Sequence, residues 1–184
     1  MNAIFEAAIE VERVCRAASF EFCFIGGLAV QRWGQPRMTA DVDVTVVTGF
    51  GSEEPFVDTL LSHLQPRIPD ARQFALEHRT LLVRASNGVD VDVALGAMPF
   101  EERAAERATG FDLGGGAVVT TCSAEDLIVH KAFANREKDW LDIAGIVVRQ
   151  RGRLDRDQIW AELSPLLELR DDPSIEPRLR KLLR

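Results

Sequence analysis

Two carboxylates, Asp41 and Asp43, alternate with valines in the stretch Asp41-Val-Asp-Val-Thr-Val. Strand side chains point alternately to opposite faces, so the pattern predicts a strand over 41–47 with both acids on one face. Neighbouring carboxylates repel each other unless a cation lies between them, and Mg²⁺ or Mn²⁺ binds carboxylate oxygens while sharing its other positions with substrate phosphates. The spacing therefore predicts a divalent metal site. The solvated face of an ordinary amphipathic strand would give the same pattern.

A second acidic strand follows the hairpin signal Asn87-Gly88. In Val89-Asp-Val-Asp-Val-Ala-Leu the acids Asp90 and Asp92 again alternate with valines. An antiparallel or mixed sheet can place this face beside Asp41 and Asp43. Several carboxylates on one sheet face favour a bound cation, although a solvated face is again the alternative.

A glycine pair, Gly26-Gly27, separates an apolar strand predicted at 22–25 from a short helix at 28–33. Glycine lets a backbone approach a phosphate closely, and the amides at a helix start favour an anion. This turn is therefore a candidate phosphate site.

A lysine, Lys131, falls on the apolar stripe of the helix that Ser123 caps. Asp139 takes a similar place on the following helix, four residues before Ile143. A lysine on a packed stripe needs an anion or a route to solvent. Two interpretations stay open: Lys131 reaches a ligand phosphate, or it pairs with Asp139 and joins the two helices.

The remaining patterns predict alternating helices and strands. Helices are predicted at 3–17, 53–64, 70–77 and 99–108, from Ser123 onward, after Asn135-Arg136, at 155–163 with a restart at Ser164-Pro165, and after the linker at 171–173. Further strands are predicted at 79–85 and on both sides of Gly114-Gly-Gly.

Composition bounds the class of protein. The chain has 184 residues, 46% hydrophobic and 28% charged, which suits one domain with a real core. A net charge of −7 argues against a broad nucleic-acid surface. The sequence contains no long apolar run and no basic leader, and its three cysteines lack metal spacing, so we expect reduced thiols, no membrane association and a cytoplasmic location.

Four blocks together resemble the nucleotidyltransferase superfamily with a polymerase-β-like palm, and within it the AbiEii-type toxin group. They are Ile25-Gly-Gly-Leu-Ala, Arg37-x-Thr39-x-Asp41-x-Asp43, Val91-Asp-Val, and Lys131-x-Phe-Ala-x-Arg136-x-Lys138-Asp139-x-x-Asp142-Ile. The resemblance spans about residues 20 to 150, with the blocks in family order.

The resemblance implies an α/β (α+β) fold in which helices flank a mixed sheet. Its core would occupy residues 1–121, with a small C-terminal helical part at 122–184 packed on it. It also implies the site residues. Asp41, Asp43 and Asp92 would be the catalytic, metal-binding acids of a two-metal site, with Asp41 and Asp43 holding two Mg²⁺ ions. The nucleotide-binding residues would be Gly26, Gly27, Arg37, Thr39, Lys131, Lys138 and Asp139.

The resulting functional prediction is a Mg²⁺- or Mn²⁺-dependent nucleotidyltransferase. It would move a nucleoside monophosphate from an NTP to a hydroxyl of RNA, such as tRNA, or of a protein, and it would act as a toxin with an antitoxin partner. The alternative is a catalytically weak or inactive nucleotide-binding or protein-interaction module of the same fold. A metal-dependent phosphohydrolase would use the same acids but would not need Lys131 or the glycine pair.

Overall fold

The computed structural model describes residues 2–170 and 172–184. The helices are α1 (Ala3–Ala17), α2 (Gly26–Trp33), α3 (Glu54–His63), α4 (Ala71–His78), α5 (Pro99–Glu106), α6 (Ala124–Ala134), α7 (Glu137–Arg149), α8 (Arg156–Glu168) and α9 (Ile175–Leu182). The strands are β1 (Phe22–Phe24), β2 (Asp41–Val47), β3 (Gln65–Pro66), β4 (Thr80–Arg84), β5 (Asp90–Gly96), β6 (Thr109–Gly114) and β7 (Ala117–Thr121).

All seven of these strands form one mixed sheet in the order β3-β4-β5-β2-β1-β7-β6. The pairs β2–β5 and β1–β7 are parallel, and the other neighbours are antiparallel. The predicted class, a mixed sheet flanked by helices, is confirmed. The two acidic strands β2 and β5 are direct neighbours at the centre of the sheet.

Alternation along β2 and β5 builds the core. Val42, Val44 and Val46 are buried on one face, and Val91 and Val93 continue that layer on β5. Apolar residues of α1, α3 and α4 belong to the same cluster, so these helices cover that face. The acids of both strands occupy the alternate positions, which leaves them on the face away from this cluster.

Two local predictions differ from the structure. The expected restart at Ser164-Pro165 is wrong, because α8 continues through Pro165. Proline removes one backbone donor from the helix, but Leu163 and Leu166 are buried on either side of it and hold the segment in place. The strand β3 was not predicted, since Pro66 indicates a break and the strand has only two residues.

Two compact units divide the chain. The first unit runs up to Leu28 and resumes over Met38–Cys122, and it contains the whole sheet. The second unit comprises Ala29–Arg37 and Ser123–Arg184, and it contains α6 to α9. Among the helices of residues 2–170 and 172–184, none combines the length and apolarity needed to cross a membrane.

Candidate active site

The central feature of the first unit is a set of four carboxylates on two adjacent parallel strands. The register aligns Asp43 with Asp92 and Asp41 with Asp90. All four side chains belong to half-buried residues, in contrast to the buried valines between them. The sheet therefore brings together the acids that the sequence placed on two separate stretches.

The glycine pair lies directly against this acidic face. Antiparallel pairing of β1 with β2 continues into a hydrogen bond from Ile25 N to Asp43 O of 3.0 Å, which carries the next residue to the Asp43 side chain. A Cβ on Gly26 would fall 1.8 Å from Asp43 Oδ2, and Gly26 has a φ of +57°. A Cβ on Gly27 would fall 2.4 Å from Thr39 Oγ1. Both positions therefore need glycine to make room for side chains of the site.

Thr39 fixes the third acid. Its hydroxyl donates to Asp41 Oδ1 at 2.9 Å. Since Gly27 leaves space for this hydroxyl, the glycine turn, Thr39 and Asp41 form one connected group.

An arginine that the sequence analysis did not single out lies beside Asp92. Arg67 Nη2 is 2.7 Å from Asp92 Oδ1, and Arg67 Nη1 is 3.4 Å from Asp90 Oδ2. The first contact lacks hydrogen-bond geometry, so Asp92 Oδ1 is a buried oxygen without a hydrogen-bond partner among the described residues. Arg67 is positioned through its backbone, whose N–H donates to Leu82 O at 3.0 Å, and Leu82 pairs with Asp92.

Asp90 belongs to an ion-pair group rather than to the open part of the acidic face. Arg84 Nε donates to Asp90 Oδ1 at 2.8 Å. This hydrogen bond, aided by the charges of Arg84 and Arg67, holds the pKa of Asp90 below its usual range. Asp90 therefore stays charged and keeps both guanidiniums near it.

The side chains of this face suit a hard divalent cation by donor type. Mg²⁺ and Mn²⁺ take carboxylate oxygens, and the buried oxygen of Asp92 lacks a hydrogen bond while Asp43 is its cross-strand partner. Within residues 2–170 and 172–184, however, no three His, Cys, Asp or Glu side chains are gathered closely enough to hold a metal ion together. The donors fit, but they are not gathered around one point.

A buried charge network occupies the second unit. Lys131 Nζ donates to Asp139 Oδ1 at 3.2 Å and to Asp142 Oδ2 at 2.7 Å, and all three side chains are at most 6% exposed. Arg136 Nε binds Asp139 Oδ2 at 2.6 Å. Arg37 donates two hydrogen bonds to the Asp142 carboxylate, of 2.8 and 2.9 Å. The pairing of Lys131 with Asp139 that the spacing left open is thus present, with Asp142 as a second partner.

The cations in this network keep its two acids ionised. Burial raises the pKa of Asp139, but the Arg136 hydrogen bond and the Lys131 charge outweigh it and hold that pKa below its usual range. Burial likewise opposes the hydrogen bonds from Arg37 and Lys131 that lower the pKa of Asp142. Lys138, also predicted to contact nucleotide, is exposed at the start of α7.

The predicted site residues thus fall into two groups. The first unit contains Gly26, Gly27, Thr39, Asp41, Asp43 and Asp92. The second unit holds Arg37, Lys131, Lys138 and Asp139. Asp142 was visible in the fourth sequence block but received no role, whereas Arg67 carried no signal, since only strand pairing brings it to Asp92.

Comparison with known proteins identifies the family of this chain. The sequence matches the family described as nucleotidyl transferase AbiEii toxin, type IV toxin–antitoxin system, over residues 13–184. No curated protein matches it.

Solved structures share the fold. An antigenic nucleotidyltransferase-like protein from Paracoccidioides brasiliensis has a TM-score of 0.55 at 16% identity, over 98% of this chain and 91% of that chain. The antibiotic-resistance factor ANT(2'')-Ia has a TM-score of 0.52 at 13% identity in solution, over 90% of this chain and 91% of its own. The crystal structure of ANT(2'')-Ia in complex with adenylyl-2''-tobramycin has a TM-score of 0.52 at 14% identity, over 91% of this chain and 99% of that chain. Together, the family match along nearly the whole sequence and the shared fold show that this chain belongs to the AbiEii nucleotidyltransferase toxin family.

Proposed function

We propose that this chain is a divalent-cation-dependent nucleotidyltransferase that moves a nucleoside monophosphate from an NTP to an acceptor hydroxyl. The observation that carries the proposal is the parallel register of β2 and β5, which sets Asp43 opposite Asp92 with Asp41 two residues away on the same face. In such a reaction the hydroxyl oxygen bonds to the α-phosphorus, and the bond from that phosphorus to the bridging oxygen of pyrophosphate breaks. Nucleotidyl transfer of this kind depends on positioning and charge neutralisation more than on a protein nucleophile.

The residues of the first unit divide the tasks. Asp41, Asp43 and Asp92 would hold a divalent cation, Mg²⁺ or Mn²⁺, which supplies charge neutralisation at the triphosphate when bound. We propose that Asp92 lies nearest the acceptor hydroxyl and helps it to lose its proton. Gly26 opens α2, whose first amides offer donors to an anion. Thr39 orients Asp41 through its hydroxyl.

The residues of the second unit are proposed to act on the nucleotide side. Lys131, Arg37 and Lys138 supply positive charge, and Asp139 and Asp142 hold Lys131 and Arg37 in fixed directions.

The acceptor we favour is RNA, such as tRNA, with a protein hydroxyl as the alternative. Membership in a type IV toxin–antitoxin family supports the further proposal that the activity is toxic and that an antitoxin counteracts it. The ANT(2'')-Ia complex contains an adenylylated small molecule, tobramycin, which supports nucleotidyl transfer but names a different kind of acceptor for that protein.

Transfer of label from an NTP tests the proposal. The purified protein is incubated with each α-labelled NTP, total tRNA and Mg²⁺ or Mn²⁺, and RNA and protein are separated on denaturing gels. We expect one NTP to label RNA, with label on protein identifying the alternative acceptor. Asp43→Asn should abolish labelling. Asp70→Asn, which neutralises an exposed aspartate outside the site, should leave it intact.

A second outcome identifies the competing function. The Arg67–Asp92 contact and the scattered donors would also suit a nucleotide-binding module with little or no catalysis. NTP binding that depends on Gly26 and Asp43, without transfer to any acceptor, would establish that module and reject the transferase.

A further inference from the structure

The guanidinium of Arg67 lies beside two carboxylates of the acidic face, Asp90 and Asp92. The Arg67 side chain is 22% exposed, and its guanidinium lies 2.7 Å from Asp92 and 3.4 Å from Asp90. Four carboxylates alternate along the two central strands of this face, and like charges at this spacing raise each other's free energy unless a cation intervenes. Arg67 supplies that cation from within the chain.

We propose that Arg67 is a built-in counter-ion of the metal site, which holds Asp92 in the cation-free protein and competes with a divalent cation for that carboxylate. The proposal rests on the proposed metal-dependent function. It also accounts for the lack, among the described residues, of three acids gathered at one point, because Asp92 is engaged by an arginine.

The geometry of the contact suits a replaceable partner. Arg67 approaches Asp92 Oδ1 without forming a hydrogen bond, so the oxygen keeps its lone pairs for another ligand. A well-formed two-pronged arginine–carboxylate pair, such as Arg37 with Asp142, would be harder to displace. The contact therefore balances the charge of Asp92 but leaves its Oδ1 without a hydrogen bond.

Asp90 can keep Arg67 ion-paired after a cation displaces it from Asp92. Its Oδ2 already lies 3.4 Å from Arg67, while its Oδ1 is bound by Arg84. Arg67 can therefore leave Asp92 and stay ion-paired, which keeps the cost of its release small. This assigns Asp90 a role distinct from the proposed metal ligands: it anchors the counter-ion.

Binding of Mn²⁺ without nucleotide, measured by calorimetry, tests the proposal. We expect Arg67→Gln to lower the Mn²⁺ dissociation constant by roughly three- to tenfold, the size expected when a partly exposed ion pair is removed. Arg84→Gln is the matched control, because it removes the same charge from the same face but contacts Asp90 and not Asp92. Both variants gain from the lost positive charge, so the difference between them reports the direct contact.

Arg67→Lys keeps the charge and should bind Mn²⁺ with nearly wild-type affinity, whereas Arg67→Met removes the charge and takes the place of Arg67→Gln if that variant folds poorly. Circular dichroism of each variant checks folding. Equal Mn²⁺ affinities for Arg67→Gln and Arg84→Gln would overturn the counter-ion role. Binding that persists unchanged in Asp43→Asn, or no binding in any variant, would instead reject the metal site on which the proposed function rests, and the counter-ion role with it.

Discussion

At the scale of single residues, the site depends on two glycines whose lack of a side chain leaves room for neighbouring groups. Gly26 has no Cβ where Asp43 Oδ2 lies, and Gly27 has none where the Thr39 hydroxyl lies. The sequence indicated that this pair serves a phosphate. The structure adds that the same glycines make room for an acid and for the hydroxyl that orients another acid, so they are needed before any ligand binds.

Gly26→Ala should therefore damage both stability and cation binding. The added methyl meets a carboxylate at 1.8 Å, and the residue must also hold a left-handed φ of +57°. Overpacking costs about 1–3 kcal/mol and the left-handed backbone about 1–2 kcal/mol, so we expect urea unfolding to show a loss of at least about 2 kcal/mol.

Gly115→Ala separates the two causes. Gly115 has a φ of +66° with nothing within 4 Å of its added Cβ, so only the backbone cost of about 1–2 kcal/mol applies. If Gly26→Ala costs no more than Gly115→Ala, and Mn²⁺ still stabilises it, the close approach of Asp43 is not a constraint on the site.

Residue patterns in the sequence were informative wherever alternation decided the answer. Asp41, Asp43 and Asp92 could be placed on one face because side chains in strands have a period of two. Arg67 could not be found in this way, because its position depends on a hydrogen bond to a residue elsewhere in the sequence. Its backbone N–H donates to Leu82 O on β4 at 3.0 Å. Contacts that arise from strand pairing leave no local pattern.

At the scale of elements, α6 and α7 are joined by charge inside an apolar setting. Lys131 on α6 binds Asp139 and Asp142 on α7, and their side chains are 6%, 0% and 5% exposed. Burial makes each charge dependent on its partners. The network therefore acts as a structural joint of the second unit, whether or not Lys131 also meets a phosphate.

Lys131→Met should consequently cost about 3 kcal/mol of unfolding free energy, because it leaves two buried carboxylates with fewer counter-charges. Arg136 and Arg37 still bind them, which keeps the protein folded at low temperature. Urea unfolding measures the loss. Lys138→Met, which removes an exposed lysine of the same unit, should change stability by less than about 0.5 kcal/mol.

Nucleotide binding by the same variants separates the two roles of Lys131. If it contacts phosphate, NTP affinity should fall in Lys131→Met at a temperature where the variant is folded. Unchanged affinity together with a large stability loss would confine Lys131 to the joint. A negligible stability loss would show that the buried pairs contribute little, contrary to the network described here.

Element boundaries were predicted well where periodicity was strong and poorly where proline intervened. β2 spans Asp41–Val47 as expected, and α6 begins after its Ser123 cap. Pro165 indicated a break but lies inside α8. Pro66 correctly indicated that α3 ends before it, at His63, but it also concealed the short edge strand β3. Burial of Leu163 and Leu166 keeps Pro165 within α8, and pairing with β4 makes Gln65–Pro66 a strand. A local signal reports neither effect.

At the scale of the whole molecule, charge is unevenly shared. The first unit carries the acidic excess behind the net charge of −7, whereas Lys and Arg slightly outnumber Asp and Glu in the second unit. An RNA acceptor, if that proposal holds, would find its counter-charges mainly in the second unit and in a bound cation. An acidic total is therefore compatible with a nucleic-acid substrate.

The same charges set the response of the whole molecule to acid. Asp139 and Asp142 in the second unit and Asp58 in the first all have pKa values held below their usual range, the last by hydrogen bonding to Arg72. In the unfolded chain these groups return to about 3.9. The folded state then binds fewer protons between the two values, so its advantage is complete above about pH 5 and declines as the pH falls through the folded pKa values.

Relief of repulsion works in the opposite direction, because acid also removes the net charge of −7. At physiological salt the Debye length is about 8 Å, which screens distant exposed charges far more than buried pairs. We therefore expect the paired carboxylates to dominate, with a urea midpoint that is flat from about pH 8 to pH 5 and falls steadily below about pH 4. In Asp142→Asn the loss should be shallower, since one of the depressed groups no longer titrates. A midpoint that rises on acidification would show that long-range repulsion, and not the buried network, governs the stability of this protein.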